Sequence, residues 1–157
     1  KAELIYEVLE MIRATFYRQS MFAEFEKIVH EKIEKGEMLS AEDLNNIYYK
    51  LNQKYFGNSI HIDDEIKYEW ARIPHFYSDF YVYKYATGIS AAICIATKIL
   101  NKEEGFVEKY INMLSQGCTK KSIELLKMVD VDLENINTYR IVSQYYKDKI
   151  SELESLI

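Results

Sequence analysis

Apolar positions recur at helical spacing along almost the whole chain. Ile5, Val8 and Ile12 repeat every three or four residues, and Phe22, Phe25, Val29 and Ile33 do so again. That predicts one long helix, or two abutting ones, over residues 2 to about 35, with Gly36 as the stop. Ser40 followed by Asp43 fits a capping box, and Leu44, Ile47, Tyr48, Leu51 and Tyr55 line one face of the next helix. Gly57 and Asn58 close it. "SIHID" is the only plausible extended piece, and "DDEIKYEWAR" reads as a short, acidic-started helix that yields near Pro74. From about Phe76 to Leu100 the chain is nearly all apolar or aromatic, as in a helix buried on all sides. Gly88, Ser90, Ala91 and Ala92 are small enough there for a neighbouring helix to come close. Further helices are expected from Gly105 to Leu114 and over residues 120 to 129. The last starts near Asn137, with Tyr139, Val142, Tyr146, Ile150, Leu153 and Ile157 on one stripe. No repeat, low-complexity segment or linker interrupts the pattern. The expectation is an all-α multi-helix bundle forming a single domain over residues 1–157.

Composition sharpens this picture in three ways. Five glycines and one proline in 157 residues are too few for a sheet protein's turns, which favours long helices with few loops. A formal charge of −5 argues against a nucleic-acid partner, because phosphate neutralisation needs a basic face. No run of about 18 apolar residues is present to span a membrane. No charged-then-apolar leader starts the chain, so secretion is not expected, and Lys1 in place of an initiator methionine is consistent with a cleaved, truncated or excised chain. Cys94 and Cys118 are too sparse for a disulfide framework and sit in no metal-ligand spacing. They read as free thiols in a reducing compartment, so a cytoplasmic location is expected.

Several candidate motifs dissolve on inspection. "HEKIE" at residues 30 to 34 lacks the second histidine of HExxH, carries Glu34 there instead, and reads as a solvated, charged helix face. His61 has no cysteine or second histidine nearby and reads as a surface residue. Asp63, Asp64 and Glu65 favour a helix N-terminus. No nucleophile elbow and no glycine-rich phosphate loop occurs.

One stretch survives. "RIPHFYSDFYVYKYATG", residues 72 to 88, places His75 and four tyrosines around the only proline. Tyr77, Tyr81 and Tyr85 are four apart, so on a helix they form one stripe, with Tyr83 pointing elsewhere. Such a stripe is usually core packing. A histidine at the helix start changes its meaning, since phenol and imidazole are both donors near neutral pH. Preorganised donors of this kind stabilise an oxyanion, and losing one costs about 100- to 1000-fold in rate. No nucleophile, base or metal centre is identifiable in the chain to make the attack.

The same stretch, extended to "ARIPHFYSDFYVYKYATGISAA", resembles the C-terminal signature of bacterial oligoendopeptidase F, a zinc peptidase family related to thimet oligopeptidase. "FYRQSMFAEFE" at residues 16 to 26, "LSAEDLNNIYYKLNQKYFG" at 39 to 57 and "LLKMVDVDLEN" near the end fit the same family in order and spacing. The resemblance covers essentially the whole chain. It implies the C-terminal quarter or so of a zinc-dependent oligoendopeptidase acting on short peptides, with the HExxH helix and the glutamate ligand lying upstream. No metal ligand is then expected in this chain, which would be inactive alone. The partners implied are oligopeptide substrates and the missing N-terminal part of the same protein, and a cut bundle would expose apolar surface through which a homodimer could form. Carried over by position, the family's histidine falls on His75 and its tyrosines among Tyr77, Tyr81 and Tyr83. Tyr83 is favoured as the oxyanion donor beside His75, with Tyr77 and Tyr81 binding substrate. Ser78 and Lys84 depart from the residues expected there, an aromatic and a glutamine. Tyr85, Tyr110, Tyr139 and Tyr146 are assigned to packing. The alternative is a stand-alone, non-catalytic helical domain that binds peptides or acts as a scaffold.

Overall fold

The computed structural model describes every residue from 1 to 157. Seven α-helices carry the chain: α1 (Ala2–Ile12), α2 (Arg18–Glu34), α3 (Ala41–Phe56), α4 (Tyr83–Leu100), α5 (Phe106–Ser115), α6 (Ser122–Lys127) and α7 (Ile136–Glu154). No residue lies in a strand, so the all-α expectation holds and "SIHID" is irregular chain. The helices fold into two compact units, one of residues 13–86 and one of residues 1–12 with 87–157.

In the unit of residues 13–86, a π-helical turn (Arg13–Tyr17) separates α1 from α2 and buries Phe16. The abutting helices predicted from the apolar spacing are therefore joined by a wider turn. Gly36 ends α2 in the left-handed region, with φ +82°. The Ser40 hydroxyl accepts the Asp43 N–H at 3.2 Å, and the Asp43 carboxylate accepts the Ser40 N–H at 2.9 Å, so α3 starts on the predicted capping box. Met21, Phe22 and Phe25 of α2, Tyr48 and Leu51 of α3, and Ile73 and Val82 form the core. The short, acidic-started helix predicted before Pro74 is present and winds as a 3₁₀-helix over Asp64–Arg72. Pro74 lacks an N–H, and Ile73 before it is extended (φ −85°, ψ 106°), so no helix runs through.

In the other unit, Ile5, Leu9 and Ile12 are the buried face of α1, which packs along α7. Ala91 and Cys94 of α4 meet Phe106, Val129 and Val131. Tyr139 donates its hydroxyl to the Leu133 carbonyl at 2.7 Å, the packing role expected of it. The expectation that α4 is buried all round fails. Ser90, Ala91, Ile93 and Cys94 are buried, but Gly88, Ala92 and Ala96, spaced by four, are exposed, and so are Ile99 and Leu100. Apolar content alone cannot separate a buried helix from one whose outer face is small. Val107, Ile111 and Leu114 make a second exposed apolar stripe on α5. No helix is long and apolar enough to cross a membrane.

Candidate functional site

His75 sits in a short 3₁₀ turn, Pro74–Tyr77, where proline fixes the first residue. Its neighbour Phe76 turns inward, with ring centroids 5.4 Å from Phe22 and 5.2 Å from Phe25. His75 is left half-buried and Tyr77 is 83% exposed. Beyond Ser78 the chain passes Phe80 in the left-handed region (φ +50°) and buries Val82 completely, and α4 begins at Tyr83. The predicted helical stripe Tyr77–Tyr81–Tyr85 is therefore broken. Tyr77 belongs to the turn, while Tyr81 lies two residues before α4 and Tyr85 lies in its first turn.

The loop nevertheless collects the aromatic donors. The Tyr81 ring stacks on the His75 imidazole at 5.5 Å and 18°. Tyr85 meets both edge-on, at 5.7 Å from His75 and 5.6 Å from Tyr81. The Tyr85 hydroxyl lies 3.2 Å from His75 Nε2, with the proton on one or the other according to the histidine tautomer. Hydrogen bonding with the Tyr81 phenol, helped by some desolvation, pushes the Tyr85 phenol above its ordinary value, so it stays protonated at neutral pH. Lys84 Nζ lies 5.0 Å over the Tyr81 ring, a cation–π contact. Tyr83, 48% exposed, stands two residues from each of Tyr81 and Tyr85 at the head of α4.

Of the four candidate residues, then, the structure brings His75 and Tyr81 into direct contact and sets Tyr83 in the next turn and Tyr77 on the exposed side of the 3₁₀ turn. Tyr85, expected from the sequence to pack, is instead exposed and in hydroxyl–imidazole contact with His75. No local signal marks this contact, because His75 lies ten residues back, across the left-handed Phe80.

The segment leading into this turn is fixed by a buried carboxylate. Glu69, 8% exposed, accepts from Arg18 at 2.6 Å, from Arg72 at 2.5 Å and from the Tyr48 hydroxyl at 2.7 Å. Burial alone would raise its pKa, but hydrogen bonds from Arg18 and Tyr48 and the charges of Arg18 and Arg72 together hold it below the ordinary glutamate range. Burial, the hydrogen bond to Glu69 and its charge push the Tyr48 phenol far up. An open cleft of about 530 Å³ adjoins this network, lined by Arg18, Phe56, His61, Tyr68 and Arg72, but it includes neither His75 nor the tyrosines of residues 77 to 85. His61 is surface, as expected, with its side chain 91% exposed. His30 differs from the expected solvated face, because its ring packs on Phe80 at 4.6 Å.

No group of three or more His, Cys, Asp or Glu side chains is arranged to hold a metal ion, so the residues of this chain do not fit a zinc site. What the cluster at residues 75 to 85 can do is donate: it presents phenol and imidazole hydrogens at an exposed surface.

Comparison with known proteins gives a consistent answer. The family model "Peptidase family M3" matches residues 1–141. Oligopeptidase PepF of Bacillus subtilis (strain 168) is 43% identical over 154 residues, 98% of this chain and 23% of that protein. A plasmid-borne oligoendopeptidase F of Lactococcus lactis subsp. cremoris is 39% identical over 98% of this chain and 26% of its own length. Among solved structures, an oligoendopeptidase F from Enterococcus faecium superposes with a TM-score of 0.95 at 40% identity, covering 99% of this chain and 30% of that one. A putative peptidase from Chlamydophila abortus gives 0.91 at 40% identity, covering 98% and 26%. The chain thus spans about a quarter of the length of the curated relatives it matches.

Proposed function

Because this chain belongs to peptidase family M3, we propose that it is the C-terminal part of a zinc-dependent oligoendopeptidase and supplies donors to the peptide bond under attack. The observation that carries the reading is the exposed His75–Tyr81–Tyr85 cluster, with imidazole and phenol 3.2 Å apart at the foot of the helix that begins with Tyr83. When water adds to the scissile carbonyl carbon, the C=O π pair moves onto oxygen. The Tyr83 O–H and the His75 imidazole N–H donate to that oxyanion, which is more basic than the carbonyl it came from, so the bonds strengthen as the charge develops. When the intermediate collapses, the C–N bond breaks, the carbonyl reforms, and the amine leaves carrying the proton that the attacking water gave up. Tyr77 and Tyr81 hold the substrate backbone, and Tyr85 orients His75 through its hydroxyl. Zinc, its ligands and the attacking water are assigned to the remainder of the longer protein. The isolated chain is accordingly inactive.

In the complete protein, Tyr83→Phe and His75→Gln should each lower kcat about 100- to 1000-fold with KM changed only a few-fold, about the pattern of an interaction made in the transition state alone. Unchanged kcat in both variants would remove the donor role.

A further inference from the structure

The loop that carries the donors is gripped at two points by a single stripe of α2. Phe22, Glu26 and His30 follow one another at four-residue spacing and so share one face. Phe22, with Phe25 beside it, holds the Phe76 ring. Glu26 is 5% exposed, and its Oε1 accepts the backbone N–H of Phe80 at 2.6 Å, across 54 residues of chain. His30 covers the Phe80 ring. Each phenylalanine turned to α2 is followed by an exposed tyrosine, Tyr77 after Phe76 and Tyr81 after Phe80. Phe80 is also where the backbone enters the left-handed region, which a bulky side chain rarely adopts unless its surroundings impose it. A carboxyl at a core-facing position of α2 is costly unless it is hydrogen-bonded. The Phe80 N–H is the bond it makes.

We infer that Glu26 is a positioning residue of the donor cluster: by holding the Phe80 N–H it fixes the left-handed turn, and with it the stacking of Tyr81 on His75 and the start of α4 at Tyr83. The kinetic consequence rests on the donor reading proposed above, whereas the positioning itself does not.

The test uses the complete protein with Glu26→Ala, Glu26→Gln, Phe80→Val and Phe80→Gly, reading amide hydrogen exchange at residue 80 together with kcat and KM. Glutamine keeps a carbonyl oxygen for the N–H, and glycine reaches φ +50° freely whereas β-branched valine does not. Displacing a donor by an ångström costs about 100-fold, so Glu26→Ala and Phe80→Val should lose about that factor in kcat with KM little changed. Glu26→Gln and Phe80→Gly should keep most of it. Phe80 is 45% exposed, so its variants fold even where removal of the buried glutamate does not. Exchange at Phe80 should quicken in Glu26→Ala and stay slow in Glu26→Gln. Unchanged exchange in Glu26→Ala, or full activity in Phe80→Val, would overturn the positioning role. Unchanged kcat in both His75→Gln and Tyr83→Phe would instead overturn the donor reading, leaving faster Phe80 exchange in Glu26→Ala as support for the turn alone.

Discussion

Replacing Glu69 by alanine should be among the most destabilising single changes in the unit of residues 13–86. The side chain receives three donors and is 8% exposed. Its loss leaves the hydroxyl of Tyr48, a residue with no solvent exposure, without an acceptor, which costs about 1–3 kcal/mol. It also leaves the Arg18 guanidinium unpaired at 27% exposure. A fully buried orphan charge costs about 3–5 kcal/mol, an upper bound here because Arg18 keeps some water. Together these predict a loss of about 3–5 kcal/mol, a large part of the about 5–15 kcal/mol by which domains are stable. The Arg72 side chain is 73% exposed, so Arg72→Ala should cost less than about 1 kcal/mol despite its short contact with the same carboxylate. Tyr48→Phe should fall between them, since Glu69 would keep both arginines. Urea unfolding at fixed protein concentration, followed by the fluorescence of Trp70, gives the comparison directly, because the single tryptophan is the next residue in the same 3₁₀-helix. With m of about 1–3 kcal/mol/M, Glu69→Ala should move the midpoint down by at least about 1 M. A shift no larger than that of Arg72→Ala would refute the reasoning, since the carboxylate would then be one more surface charge.

Three further outcomes follow from the same geometry. Ser40→Ala should cost about 1 kcal/mol through loss of the capping box, measured as a lowered urea midpoint. Glu69 and Glu24 both have pKa values below the ordinary carboxylate range: for each, burial works the other way and is outweighed by hydrogen bonds, from Arg18 and Tyr48 to Glu69 and from Lys54 and Tyr55 to Glu24, together with nearby positive charges. A depressed folded pKa contributes stability that is full above the unfolded value of about 4.3 and is lost as pH falls through the folded one, so a pH series of melting temperatures should decline below about pH 5, less steeply in Glu69→Gln. A thiol reagent should label Cys118 quickly and Cys94 slowly in the folded chain, because Cys94 is 3% exposed and burial raises its pKa, whereas Cys118 is exposed.

The helices were legible because their signals are local. Ser40 with Asp43, Gly36 and the spacing of Phe22 and Phe25 each act within a few residues, and they fold as the pattern predicts. The site was legible only as a list of residue types. The helical stripe predicted for Tyr77, Tyr81 and Tyr85 is broken at Phe80, whose left-handed backbone is held by Glu26 of α2 and so has no local signature. The same turn hides the role of Tyr85, whose partner His75 lies ten residues back across it. The exposed faces of α4 and α5 escaped prediction for a different reason: hydropathy records what a side chain prefers and not whether this stretch of chain provides a neighbour to cover it. Relatives about four times as long offer one source of such neighbours.

The role proposed for His75 and Tyr83 is to bind the transition state in preference to the substrate. It is tested most directly by the affinities of two matched peptide inhibitors for the complete protein and its Tyr83→Phe variant, one carrying a tetrahedral oxyanion-like centre and the other an uncleavable planar amide. The tetrahedral compound should lose affinity by the same factor as kcat/KM while the planar one is unchanged. Equal loss for both would make Tyr83 an ordinary substrate contact, and no loss for either would contradict its place in the site.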